Sequence, residues 1–299
     1  MPDRGVPIER VTLSLLRGVC QLPAYVAREL GFFRHNGLDV EVQIEPTAWV
    51  VPERMVRGEV GFAVIPWTRV AAAGAKGEPL RLVCGSGCEE AAIVVRRGVA
   101  TDDVRTVAVP QFGGMKDLTA LGLMQSLGWD ETEKIRFPSG DGAILALVGN
   151  GADAASMIEP YATMLEAQRI GTIVRRTGDV WPGAPGCSLT TTADLIANRP
   201  ELVQRMVDAF VRGARFVDAD PDAAAAIGAR AIGIAAPFVR AALHHNRPDV
   251  DALRNHAAMR AVLELMQRVG YLAELPDDGY IDLSFLDEAE PAATSARGS

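Results

Sequence analysis

The chain has 299 residues, of which 48% are apolar and 23% charged, and its mean hydropathy is +0.11. This composition supports a large core and excludes a disordered or fibrous protein. At the usual size of about 100–200 residues per domain, two lobes are expected rather than one. Thirty Lys and Arg against 38 Asp and Glu give a net charge of −8, so the chain lacks the basic surface that nucleic acid phosphates require.

The beginning of the chain and its cysteines bear on the cellular compartment. Residues 1–10 are charged and contain two prolines, unlike the apolar stretch of a secretory signal peptide. As the sequence stands, this pattern predicts a cytoplasmic protein, and a periplasmic or cell-surface location stays open if the start is truncated or misassigned. The four cysteines are too few for a disulfide scaffold and are expected to be free thiols.

Short β-branched runs alternate with helical patterns over the first two thirds of the chain. Strands are predicted at residues 10–16, 38–44, 61–65, 80–84, 106–109, 134–137, 154–158 and 172–175. Helices are predicted at residues 21–30, 50–57, 68–75, 115–127, 143–148 and 161–169. This alternation predicts parallel sheets with helices on both faces. Its restart near Arg105 predicts a lobe boundary between Arg96 and Arg105.

The last third of the chain has a different character. Helical patterns without a convincing strand are predicted at residues 201–217, 221–232, 237–244 and 250–269. Pro200 and Asp220-Pro221 supply helix-start signals. Residues 288–299 have the composition of a disordered tail.

The order of several short segments is familiar. These segments are LPAYVARELGFF (residues 22–33), GLDVEV (37–42), RGEVGFA (57–63), NGADAA (150–155) followed by EPY (159–161), NRPELV (198–203) and DADPDAA (218–224). Their order and spacing resemble those of type II periplasmic-binding-protein-like solute receptors of the nitrate/sulfonate/thiamine-precursor (NMT1-like) group. One departure is Gly61, where that group more often has Asp. The resemblance covers about residues 10–225.

The resemblance implies an α/β protein with the two-lobed periplasmic-binding-protein type II fold and a ligand cleft between the lobes. Lobe I would comprise residues 1–100 and 205–299, and lobe II residues 105–200. The implied function is that of a substrate-binding protein, which captures a small organic ligand of planar or acidic character by hinge closure. Its partners would be that ligand and the membrane subunits of an ABC-type importer. The implied protein is a ligand-binding protein rather than an enzyme, without a cofactor.

The loops that follow the strands carry the candidate ligand-binding residues, because ligands of open α/β sheets bind beyond the carboxyl ends of the strands. Aromatic rings there favour a planar ligand. The Gly113-Gly114 pair leaves backbone N–H groups free to bind an acidic group, although such a pair also forms ordinary turns. Asp141 has helix capping as an alternative role. The candidates are Cys20, Gln21, Trp49, Trp67, Thr68, Ser86, Phe112, Gly113, Gly114, Met115, Asp141, Glu159 and Tyr161.

Cys20 also supports a different function. It precedes a predicted helix N-terminus, which lowers a thiol pKa and favours the nucleophilic thiolate. The stretch Cys20-Gln21-Leu22-Pro23 resembles cytoplasmic desulfinases of the same fold, and this resemblance implies a cysteine-dependent lyase with Cys20 as nucleophile and Arg57 as anion clamp. The partner histidine of those enzymes has no counterpart here, so Cys20 as a simple ligand contact is the other interpretation.

Cys84 and Cys88 stand in a C-x-x-x-C spacing. Nothing nearby in sequence completes the four ligands of a zinc site. The sequence therefore predicts no metal site, and Ser86 within this stretch is expected to contact the ligand.

Overall fold

The computed structural model describes residues 8–110, 115–137 and 140–289. Within these ranges, ten strands form two sheets, one in each lobe. The strands are β1 (Glu9–Leu15), β2 (Leu38–Ile44), β3 (Phe62–Pro66), β4 (Leu80–Gly85), β5 (Ala91–Arg96), β6 (Thr106–Pro110), β7 (Glu133–Phe137), β8 (Ala154–Ile158), β9 (Gly171–Arg176) and β10 (Cys187–Thr192). The sheet orders are β2-β1-β3-β10-β4 and β7-β6-β8-β5-β9.

Both sheets are mixed, whereas the alternation of strands and helices predicted parallel ones. In lobe I, β10 runs antiparallel to β3 and β4, while β1 is parallel to β2 and β3. In lobe II, β5 runs antiparallel to β8 and β9, while β6 is parallel to β7 and β8. The antiparallel strand of each sheet is the one that enters from the other lobe, so it lacks the helical crossover that makes neighbouring strands parallel.

The chain changes lobes twice, between Gly85 and Ala91 and again between Arg176 and Cys187. Both changes precede the predicted boundaries, which placed β5 in lobe I and β10 in lobe II. The predicted boundary followed the restart of the strand–helix alternation near Arg105, and this alternation does not show which sheet a short apolar strand joins.

Helices cover both faces of each sheet, as predicted. They are α1 (Leu22–Glu29), α2 (Phe32–His35), α3 (Val51–Val56), α4 (Trp67–Gly74), α5 (Met115–Ser126), α6 (Gly140–Val148), α7 (Tyr161–Ala167), α8 (Ala193–Asn198), α9 (Pro200–Ala219), α10 (Pro221–Ile232), α11 (Ala236–Ala242), α12 (His256–Arg268) and α13 (Ser284–Glu288). Strand β10 and helices α2, α8 and α13 are absent from the sequence prediction. The helix predicted at 250–269 begins only at His256, where the Asn255 side chain accepts a hydrogen bond from the Ala258 N–H at 3.2 Å.

The core of lobe I lies on both faces of its sheet. One face packs against α1, α9 and α10, and the other packs against α4 and α12. Gly213 of α9 lies so close to the Pro23 carbonyl of α1 that a Cβ would collide with it. This close approach fixes α9 against α1 and so orients the loop that precedes α1.

The core of lobe II is smaller. Helices α6 and α7 cover one face of its sheet, and α5 covers the other. In the described ranges no single helix is long and apolar enough to cross a bilayer, although α10 and α11, bent by 116°, pass that test as a pair. The predicted tail at residues 288–299 falls outside the described residues from position 290 onward.

Candidate functional site

A cavity of about 260 Å³ lies between the two lobes, at the carboxyl ends of their parallel strands. Lobe I lines it with the loop after β1, the loop after β2 and the start of α4. Lobe II lines it with the ends of β6 and β8 and the first turns of α6 and α7. The lining residues are Leu16, Arg17, Gly18, Cys20, Ile44, Glu45, Pro46, Thr47, Ala48, Pro66, Arg69, Glu90, Pro110, Gly140, Asp141, Ile144, Met157, Ile158, Tyr161 and Cys187.

The loop after β1 is held in place by its own buried polar groups. The Gln21 side chain accepts from the Leu16 N–H at 3.2 Å, and the Tyr25 hydroxyl donates to the Leu16 carbonyl at 2.6 Å. From lobe II, the Glu159 carbonyl accepts from the Val19 N–H at 3.2 Å. Gln21 is fully buried behind the cavity wall, so its role in this structure is to position the loop that presents Cys20.

The two segments that join the lobes run antiparallel and are hydrogen bonded to each other. Ser86 N–H donates to the Cys187 carbonyl at 3.2 Å, and Gly186 N–H donates to the Gly87 carbonyl at 2.8 Å. The Ser86 hydroxyl donates to the Cys20 carbonyl. These bonds bring Cys187 and the first crossing segment beside Cys20. Ser86 is fully buried and does not line the cavity.

Cys20, Glu90 and Cys187 form a buried cluster at the cavity wall, and their sulfur and carboxylate atoms lie within 4.8 Å of one another. The Cys187 hydrogen bond favours the Cys20 thiolate, but burial and the negative charge of Glu90 oppose it, and the net result is a raised Cys20 pKa. The hydrogen bond with Cys20, followed by burial, raises the Cys187 pKa well above its ordinary value. Both thiols are therefore neutral at pH 7, so the expected lowering of the Cys20 pKa does not occur.

Arg69 is the residue of the cavity wall that the sequence analysis missed. Helix α4 begins at Trp67, so Trp67, Val70 and Ala71 face the core at helical spacing and Arg69 faces the cavity. The Nε atom of Arg69 is buried, and among the described residues it has no hydrogen-bond acceptor and no carboxylate within ion-pair distance. Burial lowers the Arg69 pKa to about 10, so the guanidinium stays charged at pH 7.

Trp49 lies at the rim of the cavity. Its ring stacks on the Arg69 guanidinium, with 4.4 Å between Cζ and the ring centroid, and 51% of Trp49 is exposed. Because Trp49 is not itself part of the lining, its contact with Arg69 holds the guanidinium in one orientation.

Three of the predicted ligand-binding residues, Cys20, Asp141 and Tyr161, line the cavity. Trp67 and Thr68 do not, because both are fully buried beneath the wall, Trp67 within the core between α4 and the sheet. Phe112, Gly113 and Gly114 lie outside the described residues, and Met115 begins α5.

The Glu159 side chain was also predicted to bind the ligand, but it is engaged elsewhere. Its carboxylate is buried, pairs with Arg176 at 2.5 Å and accepts from the backbone and hydroxyl of Thr163 at 3.0 and 2.9 Å. These partners satisfy the carboxylate within lobe II, and Glu159 does not line the cavity. The expectation of direct ligand contact through its side chain is corrected accordingly.

Arg57, expected as an anion clamp in the lyase hypothesis, lies outside the cavity. Its guanidinium pairs with Glu53 and Glu59, each at 2.7 Å, and half of the side chain is exposed. The sequence predicted that a helix ends at Arg57, but it did not predict the direction of the Arg57 side chain, which turns toward these glutamates. The Cys20 thiol lines the cavity, as the lyase hypothesis expects, but its raised pKa and the position of Arg57 outside the cavity both oppose that hypothesis.

The family model described as the NMT1-like family matches residues 4–233. No curated protein matches the chain in sequence.

Several solved structures share the fold. The ligand-binding component of an ABC-type import system from Staphylococcus aureus, solved with zinc bound, is 14% identical, with a TM-score of 0.84 over 94% of this chain and 99% of that one. The alkanesulfonate-binding protein of Xanthomonas axonopodis pv. citri, bound to MOPS, is 13% identical, with a TM-score of 0.78 over 94% and 100%. The periplasmic nitrate-binding protein of Synechocystis is 16% identical, with a TM-score of 0.72 over 89% and 82%.

Proposed function

The chain belongs to the NMT1-like family, and on that premise we propose that it is a substrate-binding protein that holds a small organic anion between its lobes for an ABC-type importer. The ligand has an acidic group bound by lobe I and an apolar body that contacts both lobes. Its size is limited by a cavity of about 260 Å³, which is at the small end of ligand sites.

Arg69 is the observation that carries this proposal. The Arg69 guanidinium is half-buried beside the cavity, its Nε atom has no hydrogen-bond acceptor, and no carboxylate lies within ion-pair distance of it among the described residues, although the charge of Asp117 favours its charged form from farther away. An anionic group of a ligand supplies the direct partner that this guanidinium lacks. Arg17, from the loop after β1, adds a second positive charge to the lining, and no ion pair engages it among the described residues. Glu45, which lines the same wall, is neutralised by its ion pair with Arg54.

The rest of the lining suits an apolar ligand body. Leu16, Ile44, Ile144, Met157 and Ile158 contribute aliphatic side chains from both lobes. Among the described residues that line the cavity, Tyr161 is the one with an aromatic side chain. The lining therefore supports an aliphatic or small aromatic body, with weaker support for a planar ligand than the sequence suggested, since Trp67 is in the core.

A ligand that contacts both lobes also explains how binding is signalled. Contacts from lobe I and lobe II form together only when the lobes are close, so ligand binding favours the closed form. The crossing segments, which pair through Gly186 and Gly87, are the natural hinge. Two structural neighbours are a nitrate-binding and an alkanesulfonate-binding protein, and both of these ligands are anionic, in agreement with the charge of the proposed ligand.

The proposal is tested by a thermal-shift screen of the full chain against short alkyl and aromatic carboxylates and sulfonates, together with their uncharged amides and alcohols. We expect stabilisation by a subset of the anions, because a ligand that binds the folded state raises its melting temperature. Each stabilising compound is then recovered and analysed by mass spectrometry, and we expect it to be intact. Stabilisation by the neutral compounds alone, or recovery of a chemically altered ligand, would contradict the proposal.

A further inference from the structure

The cluster of Cys20, Glu90 and Cys187 lines the cavity but supplies no positive charge for the anionic group discussed above. Its three side chains come from distant parts of the chain: the short 3-10 turn Val19–Gln21, the first crossing segment and the start of β10. Each residue is at most 3% exposed, yet all three line the cavity. Two sulfur atoms and a carboxylate oxygen within 4.8 Å of one another form a compact donor set at the edge of a space that solutes can enter.

Glu90 is the unusual member of this cluster. A buried carboxylate is normally paired with a cation or bound to a metal, because an unpaired buried charge is strongly disfavoured. Among the described residues, no Lys, Arg or His lies within ion-pair distance of Glu90. Its Oε2 atom instead accepts from the Cys187 backbone N–H at 3.1 Å. Both thiols interact with this carboxylate.

We propose that Cys20, Glu90 and Cys187 bind a thiophilic divalent cation such as Zn²⁺, with a fourth coordination position open to the interlobe cavity. Zn²⁺ takes thiolate, imidazole and carboxylate ligands in tetrahedral sites, and sites with three protein ligands leave one position for water or a ligand atom. Binding replaces the two thiol protons with one cation and releases both protons to solvent. No oxidation or reduction is involved.

The surroundings of the cluster hold its donors in place. A Cβ at Gly186 would lie 2.6 Å from the Glu90 Oε2 atom, so only glycine at this position leaves the carboxylate where it is. The Gln21 side-chain amide donates to the Cys20 sulfur at 3.4 Å, which orients the thiol as the outer hydrogen bonds of metal sites do. The sulfurs of Cys84 and Cys88 are not in the group, and the Cys84 thiol donates to the Gly85 carbonyl at 3.2 Å.

The cation would also contribute to the hinge. Glu90 and Cys187 belong to the two crossing segments, whereas Cys20 belongs to the loop that begins α1. A single ion bound by all three residues therefore ties the loop to both crossing segments. Metal binding by this cluster can be measured without any organic ligand, so its test is independent of the test of the anion site at Arg69.

The test is direct titration of the full chain. The protein is purified in a phosphine reductant, stripped of metal with a chelator and titrated with Zn²⁺ against a chromophoric competitor, and Co²⁺ is used as a spectroscopic probe. We expect about one equivalent of tightly bound Zn²⁺, and a Co²⁺ complex with the near-ultraviolet thiolate charge-transfer absorption of a site with cysteine ligands. No binding by the reduced protein would overturn the proposal and leave the cluster as a hydrogen-bonded thiol–carboxylate group.

Variants assign the site. Cys20→Ser, Cys187→Ser and the isosteric Glu90→Gln should each weaken Zn²⁺ binding by more than about tenfold, since even outer-shell changes at metal sites have effects of that size. Gly186→Ala should weaken binding through displacement of the Glu90 carboxylate. Cys88→Ser is the matched control, a buried cysteine outside the cluster, and should bind Zn²⁺ as the parent does.

Circular dichroism of each metal-free variant separates loss of metal from loss of fold. If a cysteine variant does not fold, Glu90→Gln and Gly186→Ala decide the outcome. Unchanged Zn²⁺ affinity in folded Glu90→Gln and folded Cys20→Ser would overturn the proposal.

Discussion

The two lobes line the same cavity with different chemistry. In the described residues lobe I contributes two guanidinium groups, Arg17 and Arg69, whereas lobe II contributes mainly the apolar side chains of Ile144, Met157 and Ile158. Lobe II adds the acid Asp141, and the first crossing segment adds the acid Glu90, so both carboxylates repel an anionic group from those parts of the wall. The difference assigns an orientation to the ligand, with its acidic group on lobe I and its apolar body on lobe II.

The largest effect is expected from removal of the positive charge on lobe I. Arg69→Gln should weaken binding of an anionic ligand by roughly 10- to 100-fold, because charge-assisted hydrogen bonds contribute about 1.5–3 kcal/mol each. Isothermal titration calorimetry with the best anion of the thermal-shift screen measures this change. Arg81→Gln is the matched control, a half-buried arginine of β4 outside the cavity lining. Equal affinities of Arg69→Gln and the parent would remove Arg69 from the site.

A smaller effect should follow from a change to the apolar wall of lobe II. Ile144→Ala removes apolar surface from the lining and should weaken binding by about fivefold, at roughly 1 kcal/mol for the methyl groups lost. The loss should grow with the length of the ligand's apolar body in a homologous series. Leu145→Ala changes the neighbouring side chain, which is 70% exposed and outside the lining, and should bind like the parent. A loss independent of ligand length would argue against contact between lobe II and the apolar body.

Trp49 should have a still smaller influence, exerted through Arg69. Trp49→Leu removes a cation–π contact of about 0.5–1 kcal/mol, which corresponds to roughly a two- to fivefold loss of affinity. The same substitution in an Arg69→Gln background should have no effect, since the guanidinium it positions is gone. Additive losses in calorimetric titrations of the double variant would indicate that Trp49 contacts the ligand directly.

The dependence of affinity on pH should be the weakest effect near neutrality. Arg69 is charged below its pKa of about 10, so binding of a permanently charged sulfonate should change less than about twofold between roughly pH 7 and pH 9. Above about pH 10 the guanidinium loses its proton, and affinity should fall by up to about tenfold per pH unit. Burial raises the Tyr161 pKa, so this residue does not add a negative charge before Arg69 is neutralised. A rise in affinity in alkaline solution, measured by calorimetry, would contradict the assignment.

The sequence predicts most of the fold because its strands are short β-branched runs with helices between them. Strand β2 and helix α10 agree with their predicted bounds, as does β8. Strand β10 was missed because Ser188 and the threonines that follow it are polar residues buried inside a sheet, a pattern that alternation does not detect. Since β10 carries Cys187 into lobe I, the lobe boundary and the buried cluster were missed together.

The candidate site was less predictable than the fold. Loop positions identified Cys20, Asp141 and Tyr161 as cavity residues, because a loop at the end of a strand can be read from the pattern. The same reasoning placed Trp67 in the cleft, whereas the side chain at the first position of α4 turns into the core and Arg69 faces the ligand space. The available signal was Arg69 itself, a single arginine directly before the apolar and small stretch Val70–Gly74, at a helical phase that differs from that of Trp67.

The central claim is that lobe I recognises the negative charge of the ligand. Its most direct test is calorimetric titration of the full chain with a matched pair of compounds, the best organic acid of the screen and its uncharged primary amide. The account predicts that the acid binds at least about tenfold more tightly than the amide, and that Arg69→Gln abolishes this difference. Equal affinity of the acid and the amide for the parent protein would contradict it.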